Sequence, residues 1–316
     1  MSRIAVGISA CLTGREVRHD GGHKHSRYCT GVLARYFDFR PLCPEAGAGL
    51  GTPRPAMHLR LDDGGDQVRL VTVRGGEDRT DALQDWVART LPGLGSLRGF
   101  VLTGKSPSCG LERIRVHGED GRVLRRDASG LFAAALRSAY PLMPLEEEGR
   151  LNDDGLRENF VERVFFLDDW MEMNERGLTP GALIAFHTRH KFQLLAHCQK
   201  RYRQLGPLLS DLRAAPLEHI AREYISTAMA AMERRVSRGA HVNAMQHLAG
   251  YVREGLEISE RRMLDEQIQA YLRGEIPLVV PMTLLRQAQR RRPVAYLDRQ
   301  DYLRPYPDEL GLRNGV

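Results

Sequence analysis

The feature that most constrains the fold is a change in hydrophobic periodicity near residue 155 of this 316-residue chain. Before that point, short apolar runs such as Ile4–Ser9 and Gly99–Thr103 alternate with glycine-rich loops and helical patterns. After it, long amphipathic patterns such as Leu217–Arg235 predict helices only. Strands that alternate with helices are typical of a layered, mostly parallel sheet. We therefore predict an α/β N-terminal domain with a mostly parallel, Rossmann-like sheet, followed by an all-α C-terminal domain.

The expected domains are residues 1–145 and residues 155–316, joined by a linker over 141–154, where prolines, acidic residues and a glycine cluster. Further elements are expected in the first domain, and residues 57–65 are expected to form a loop or hairpin. These elements are strands at Phe37–Leu42 and Val68–Val73 and helices at Thr80–Leu91 and Leu131–Tyr140.

Composition predicts a soluble, cytoplasmic protein. Charged residues make up 27% of the chain. No run approaches the roughly 20 apolar residues of a membrane span, so no membrane partner is expected. The apolar start is interrupted at once by Arg15, Glu16 and Arg18, which argues against a signal peptide. Five cysteines without an export signal favour reduced thiols. The overall net charge is +6, and residues 176–316 alone carry 22 basic and 14 acidic residues, which fits either a phosphate-bearing partner or an ordinary arginine-rich surface.

Three of the five cysteines follow the ends of predicted strands. Cys11 follows the first apolar run, Cys43 follows the second, and Cys109 lies in the loop after the fourth. Because the carboxyl ends of parallel strands meet at one edge of a sheet, the three thiols are expected to converge there. The alternative is that each is a small buried hydrophobic residue. Cys29 and Cys198 have no comparable setting.

Thiolates are ligands for iron–sulfur clusters, zinc or copper(I). A structural zinc site usually has a fourth ligand and often a local C-x-x-C pair, which this sequence lacks. Three cysteines instead suit a 4Fe–4S cluster with one open iron, and an open metal position can bind a substrate atom.

Candidate catalytic residues lie near these cysteines in sequence. Glu45 is expected to position or deprotonate water, and Ser106 to donate hydrogen bonds. Lys105 is expected to stabilise developing negative charge, and Asp20 belongs to a loop that can close over the same edge. Taken singly, such loop residues are usually only solvated.

The N-terminal motifs resemble those of the thiouracil desulfidase family. The resemblance covers about residues 1–145 and rests on Ser9–Leu12, Asp20–Gly21, Cys43–Glu45 and Gly104–Gly110. It implies a 4Fe–4S cluster bound by the three strand-end cysteines, with an open iron that takes sulfur from a thiocarbonyl without net redox change. His19 stands where the family has tyrosine.

The helical half resembles a domain of unknown biochemical function that occurs alone or fused to the desulfidase domain. The matching segments are Phe186–Lys191, His241–Asn243 and Pro277–Pro281. The two-domain arrangement resembles the RudS-type desulfidases. That resemblance implies action on thiolated uracil, specifically conversion of 4-thiouridine in tRNA to uridine with release of sulfide.

RNA contacts are predicted at two sites in the helical half. His187, His190 and Lys191 share one helix face, and a second basic cluster is Arg290–Arg292. The same histidines can instead be buried and hydrogen-bonded. A third interpretation is a metal site built from His190, His197, His241 and His247.

The sequence thus predicts an iron–sulfur desulfidase that binds tRNA. One rival is a redox iron–sulfur enzyme, although no cluster-binding C-x-x-C run or dinucleotide fingerprint is present. The other rival is a non-catalytic RNA-binding adaptor in which a metal serves only structure.

Overall fold

A computed structural model describes residues 3–62, 64 and 67–315. The chain divides into two compact units, Met1–Asp153 and Asp154–Val316, which we call the α/β unit and the helical unit. The expected fold class is confirmed, because a parallel sheet and a mixed sheet precede a region made of helices.

The α/β unit contains the strands and three of the helices. Within its described residues the strands are β1 (Ile4–Ser9), β2 (Phe37–Leu42), β3 (Met57–Leu61), β4 (Val68–Thr72), β5 (Phe100–Leu102), β6 (Ile114–His117), β7 (Val123–Ala128) and β8 (Leu145–Glu147). The helices are α1 (Pro44–Gly47), α2 (Thr80–Thr90) and α3 (Leu131–Ala139).

The first sheet is parallel throughout, in the order β2-β1-β5-β8. Its central strands β1 and β5 are almost wholly buried, as expected for strands covered on both faces. The chain leaves β1 toward β2 on one side and toward β5 on the other. The carboxyl ends of these three strands therefore flank the point where the strand order reverses, which is where open α/β sheets bind ligands.

The second sheet is mixed, in the order β4-β3-β6-β7. The segment expected as a loop or hairpin at residues 57–65 contains β3, which pairs antiparallel with β4; residues 63 and 65 lie outside the described residues. The Val68–Val73 strand therefore belongs to this sheet rather than to the parallel one. Its buried face packs with α2 and α3 through Leu59, Leu70 and Phe132.

The expected linker over 141–154 is wrong in part, because β8 lies inside it. Leu145, Glu146 and Glu147 pair in parallel with β5. A composition rich in proline and glutamate concealed this strand, since its pairing depends on a partner more than 40 residues away. The α/β unit consequently extends to Asp153.

Most helices of the helical unit correspond to an amphipathic pattern in the sequence. The described helices are α4 (Asp154–Arg176), α5 (Pro180–His197), α6 (Gln199–Ser210), α7 (Leu217–Met232), α8 (Arg238–Val252), α9 (Ile258–Arg273), α10 (Val279–Arg291) and α11 (Ala295–Asp298). The Thr179 side chain caps α5, and Gly274 ends α9 in the left-handed conformation. The amphipathic pattern over residues 179–202 forms two helices, α5 and the start of α6, because the backbone is extended at Cys198.

Among the described residues, no helix combines the length and the hydrophobicity that crossing a bilayer requires.

Candidate functional site

Three thiols lie on the wall of one cavity of about 440 Å³ at the carboxyl edge of the parallel sheet. Cys11 sits in a 3-10 turn directly after β1, and Cys43 is the residue that caps α1 after β2. Cys109 lies in the turn that follows β5. The strand ends thus bring together residues that are nearly 100 positions apart in the chain.

Burial governs the protonation of these thiols. Cys11 and Cys109 are only 6% and 4% exposed. Desolvation raises the pKa of all three thiols, and the effect is largest for Cys109. The hydroxyl of Thr103 partly offsets the rise in the pKa of Cys11. Such thiols stay protonated until a positively charged group displaces the protons, as metals do when they bind.

The separation of the sulfur atoms bears on which group they can hold. The three Sγ atoms do not all lie within 4.8 Å of one another. Sulfur ligands of a single tetrahedral zinc would be only about 3.8 Å apart, given a Zn–S bond of about 2.3 Å. At least one pair of these sulfur atoms is therefore more widely spaced than two sulfur ligands of a single tetrahedral zinc.

The chemistry of the cavity wall is also suited to an iron–sulfur cluster. Among the described residues no fourth cysteine lines the cavity, so three thiolates would leave one metal position open. The buried hydroxyl oxygen of Thr103 makes no hydrogen bond that meets standard geometry, which leaves a donor available to a sulfur atom. Arg18 and Lys24 line the same wall and offset negative charge.

The turn that carries Cys109 is held from two sides. The Ser106 hydroxyl accepts hydrogen bonds from the backbone N–H groups of Ser108 and Cys109, at 3.2 and 3.1 Å. From α3, Phe132 N–H donates to the Ser108 carbonyl at 3.0 Å. A Cβ atom on Gly130 would come within 2.5 to 2.8 Å of the Ser108 and Cys109 backbone. Only glycine allows α3 to begin this close to the turn.

Glu45 is buried, and both of its carboxylate oxygens accept hydrogen bonds. Arg54 donates to its Oε2 from Nε at 2.8 Å and from an Nη at 2.6 Å. The other oxygen, Oε1, accepts a hydrogen bond from Ser108 at 2.9 Å and a longer one from Ser106 at 3.5 Å. The ion pair is almost inaccessible to solvent, with side-chain exposures of 4% for Arg54 and 12% for Glu45.

Arg54 is the functional candidate that the sequence interpretation missed. It lies in a glycine- and proline-rich loop with no periodic signal, nine residues after Glu45. Its guanidinium also donates to the carbonyls of Val17 and Gly51, which fixes the loop against the cavity wall. An arginine so anchored holds its carboxylate partner in one position through charge-assisted hydrogen bonds.

The remaining predicted catalytic residues are placed differently. Lys105 lines the cavity with an exposed side chain and a φ of 64°, a left-handed conformation that is uncommon for a lysine. Asp20 does not line the cavity. Its carboxylate accepts from the Gly22 N–H at 3.0 Å, which lowers its pKa, and it pairs with Arg18 at 3.5 Å. The neighbouring His19 does line the cavity.

The other two cysteines are not part of the cavity wall. Cys29 is buried beside Ser26, and desolvation raises its pKa to about 11. Cys198 lies in the helical unit at the junction of α5 and α6.

In the helical unit most of the predicted site histidines are buried and bonded. His190 is 2% exposed, with its Nε2 atom 2.7 Å from Asp169 and its Nδ1 atom 2.6 Å from Gln193. Gln193 in turn donates to Glu162, whose second oxygen lies 3.1 Å from His197. His190 therefore has no surface to offer a phosphate.

The histidines of the predicted metal site do not bring their ligand atoms together within the part of the chain that the structure describes. Among the described residues, the one group of His, Cys, Asp or Glu ligand atoms within 4.8 Å is Asp169, His190 and Asp301. Arg189 already bridges its two carboxylates at 2.9 and 2.8 Å, so a positive charge occupies that position. His241 is bonded separately, 2.8 Å from the Tyr302 hydroxyl.

Only part of the predicted RNA-binding surface is accessible to solvent. The His187 ring stacks on Tyr202, and desolvation lowers the His187 pKa to about 4, which keeps the ring neutral. Lys191 is half-buried with its ammonium over the Phe192 ring. Arg290, Arg291 and Arg292 are exposed at the end of α10; Arg291 pairs with Glu260, and Arg292 donates to the Glu254 carbonyl.

Comparison with known proteins gives a match for each part of the chain. Residues 6–148 match the family described as 2-thiouracil desulfurase, and residues 191–307 match the family described as protein of unknown function DUF1722.

Two uncharacterized bacterial proteins are relatives, each over about half of this chain. YbgA of Escherichia coli (strain K12) is 33% identical over 153 residues, which cover 48% of this chain and 90% of YbgA. YbbK of Bacillus subtilis (strain 168) is 30% identical over 156 residues, which cover 46% of this chain and 97% of YbbK.

One solved structure is also similar. It is described as the 4Fe-4S-dependent thiouracil desulfidase TudS and is 29% identical, covering 48% of this chain and 95% of its own chain, with a TM-score of 0.38.

Proposed function

The chain belongs to the 2-thiouracil desulfurase family through residues 6–148, and from that membership we propose that it is an iron–sulfur-dependent desulfidase of thiolated uracil. Its proposed substrate is 4-thiouridine in tRNA, converted to uridine with release of sulfide. The observation that carries the proposal is the meeting of Cys11, Cys43 and Cys109 with the Glu45–Arg54 pair in one cavity.

The three thiolates would hold a 4Fe–4S cluster. When bound, such a cluster supplies Lewis acidity toward the thiocarbonyl sulfur at its open iron. The overall reaction exchanges the sulfur of C=S for the oxygen of water and gives C=O and hydrogen sulfide. No electrons are gained or lost, so the residues need only move protons and stabilise charge.

Glu45 is the proposed general base. Arg54 occupies Oε2, which leaves Oε1, on the side of Ser108 and Ser106, as the oxygen that can take a proton from water. The same ion pair holds the carboxylate in place at the cavity wall. The two serine hydroxyls fix its orientation.

Cations at the cavity wall would stabilise negative charge as it forms on the substrate. Arg18, Lys24 and Lys105 line the cavity, and Lys24 pairs with Glu148, whose carboxylate also accepts from the Gly104 N–H. Lys105 is exposed and, within the described part of the chain, forms no ion pair comparable to that of Lys24, so it is the one suited to a substrate that enters from solvent.

For the helical unit we propose a role in binding the RNA. Support comes from exposed Arg290, Arg291 and Arg292, and from a surface where His187 stacks on Tyr202 and where Tyr251 is 44% exposed. Aromatic rings beside cations are typical of surfaces on which nucleic-acid bases stack.

The test is anaerobic reconstitution of the full chain with iron and sulfide, followed by incubation with 4-thiouridine and with thiolated tRNA. Release of sulfide and conversion to uridine without added reductant supports the proposal. A requirement for reductant would favour the redox rival, and tRNA binding without any turnover would favour the adaptor. The Cys29→Ala variant is the matched control for loss of a buried thiol outside the cavity.

A second experiment separates the two units. A chain that ends at Asp153 keeps β8 and the Glu148 contacts, so it should still convert the free nucleoside. It should lose most activity on tRNA if the helical unit supplies RNA affinity. Equal activity of the full and shortened chains on tRNA would remove RNA binding from the helical unit.

A further inference from the structure

The outer face of the second sheet is basic. Along β3, β4 and β6, residues Leu59, Leu70 and Val116 point into the core. Because side chains alternate along a strand, the intervening residues lie on the opposite face. We call this surface the basic face, and its members are His58, Arg60, Arg69, Arg115 and His117.

The strands of the basic face provide no acidic partners. Neither an aspartate nor a glutamate occurs in β3, β4 or β6. Among the described residues Arg60 and Arg115 form no ion pair or hydrogen bond, and the Nε atom of Arg60 is buried without a partner. Arg69 makes only long contacts, at 4.0 Å to Asp78 and 3.7 Å to Asp81.

The pairing register places these cations next to one another. Arg60 lies directly opposite Arg69 across the β3–β4 pair and beside His117 across the β3–β6 pair. The rings of His58 and His117 are 4.6 Å apart between centroids. Like charges in directly opposed positions destabilise a sheet. A set of arginines that costs stability and has only long contacts with carboxylates is suited to binding an external polyanion.

The position of β3 relates this face to the cavity. Met57, the first residue of β3, lines the cavity that holds the three thiols. Arg60 follows three residues later, about 10 Å along the strand. Met57 has the same orientation as core-facing Leu59, so RNA that continues beyond a base held in the cavity would reach the basic face around the edge of the second sheet.

We propose that the basic face binds the phosphate backbone of the RNA beside the thiolated nucleotide, through Arg60, Arg69 and Arg115. This inference rests on the proposed function, since it assigns the α/β unit its own share of the tRNA contact. Free thiouracil lacks phosphates and would gain nothing from these residues.

The test compares two double variants of the full-length holoenzyme with the wild type. R60Q/R115Q removes two unpaired cations of the basic face. The control R35Q/R89Q removes two exposed arginines of the same unit that lie outside the second sheet. Affinity for thiolated tRNA is measured across a salt series, and turnover of the free nucleoside is measured in parallel.

Each lost phosphate contact should weaken tRNA binding roughly five- to eightfold at 0.1 M salt and lower the log–log salt slope by about 0.7–0.9. The control should show neither change, and nucleoside turnover should be the same in all three proteins. Because Arg60 is half-buried, the single variant Arg115→Gln is measured as well, and it should show the effect of one contact.

Wild-type tRNA affinity in both R60Q/R115Q and Arg115→Gln would overturn the inference, as would an equal loss in the control. That result leaves the proposed function intact if the nucleoside is still desulfurised. Absence of turnover on both substrates by the wild type is the distinct result that defeats the proposed function.

Discussion

Both units bury side chains that can bind metals, histidines in the helical unit and cysteines in the α/β unit, but their polar atoms are satisfied differently. In the helical unit, His190 and His197 each have protein partners at both ring nitrogens, within a chain that includes Glu162 and Gln193. In the α/β unit, buried Cys11 and Cys109 and half-buried Cys43 face a cavity, and the hydroxyl of Thr103 has no well-formed hydrogen bond. A fully bonded network stabilises the fold, whereas a set of ligands around an open volume can accept another group.

The largest expected effect removes the ligands of the α/β unit. Cys11→Ala, Cys43→Ala or Cys109→Ala should each abolish desulfidation and reduce bound iron, because two thiolates cannot retain the cluster. Cys29→Ala and Cys198→Ala should do neither, since neither thiol lines the cavity. Iron, acid-labile sulfide and the visible absorption of anaerobically purified protein give the readout. Full iron and activity in one of the first three variants would exclude that cysteine as a ligand.

The next effect concerns the base. Glu45→Gln should keep the cluster but lose about 10²–10⁴-fold in turnover, because an amide preserves the contacts with Ser108 but cannot take a proton. The measurement is kcat on the nucleoside together with the iron content. Arg54→Met is the companion variant. It leaves a buried carboxylate unpaired and should cost about 3–5 kcal/mol of stability. Near-normal turnover of Glu45→Gln with an intact visible spectrum would show that another residue acts as the base.

A third prediction tests the helical network through pH. Burial lowers the pKa of His241 to about 3. The pKa of a histidine in the unfolded chain is about 6.5. Between that pH and 3, the unfolded chain binds a proton at His241 and the folded chain does not. The free energy of unfolding therefore decreases by about 1.4 kcal/mol for each pH unit of acidification. The pKa of Glu162 is also lowered, chiefly by His197 against the opposing effect of burial, and its stabilisation is present above the unfolded pKa and lost on further acidification.

Hydrogen exchange followed by mass spectrometry between pH 7 and pH 4 can measure the loss of stability on acidification in each unit separately. His241→Gln should flatten the pH dependence of protection in the helical unit. Protection that is unchanged between pH 6.5 and 4 in the wild-type helical unit would contradict the assignment of a neutral, buried His241.

The smallest effect is expected at the surface of the helical unit. Reversing charge at Arg290, Arg291 and Arg292, or replacing Lys191 by Ala, should weaken tRNA binding several-fold and leave nucleoside turnover unchanged. His190→Ala should instead destabilise the unit, because His190 is buried between Asp169 and Gln193. If His190→Ala instead lost tRNA affinity without losing stability, His190 would be an RNA contact rather than a structural residue. The contrast between the two units would then be smaller than their hydrogen bonding indicates.

Local patterns predicted the strands that carry the thiols, and alternation of strands and helices was enough to place Cys11, Cys43 and Cys109 at one sheet edge. The second sheet and β8 could not be predicted, because strand pairing depends on distant partners rather than on the strand's own sequence. Arg54 was missed for the same reason, since its contact with Glu45 is set by the path of a loop. In the helical unit, spacing on a helix face identified His187, His190 and Lys191 as neighbours but could not tell which side of α5 is buried.

The close approach at Gly130 ties cofactor retention to the hydrophobic core. Two residues beyond it, the Phe132 ring packs against Phe100 and Trp86, so any loosening of these rings moves the start of α3 and, with it, the backbone of Cys109. If the proposed cluster is bound, the rate at which the protein bleaches on standing would then report on the tightness of the aromatic packing behind Cys109. Variants selected for slower bleaching would be expected to carry substitutions in the core beneath the sheet as often as at the cavity itself.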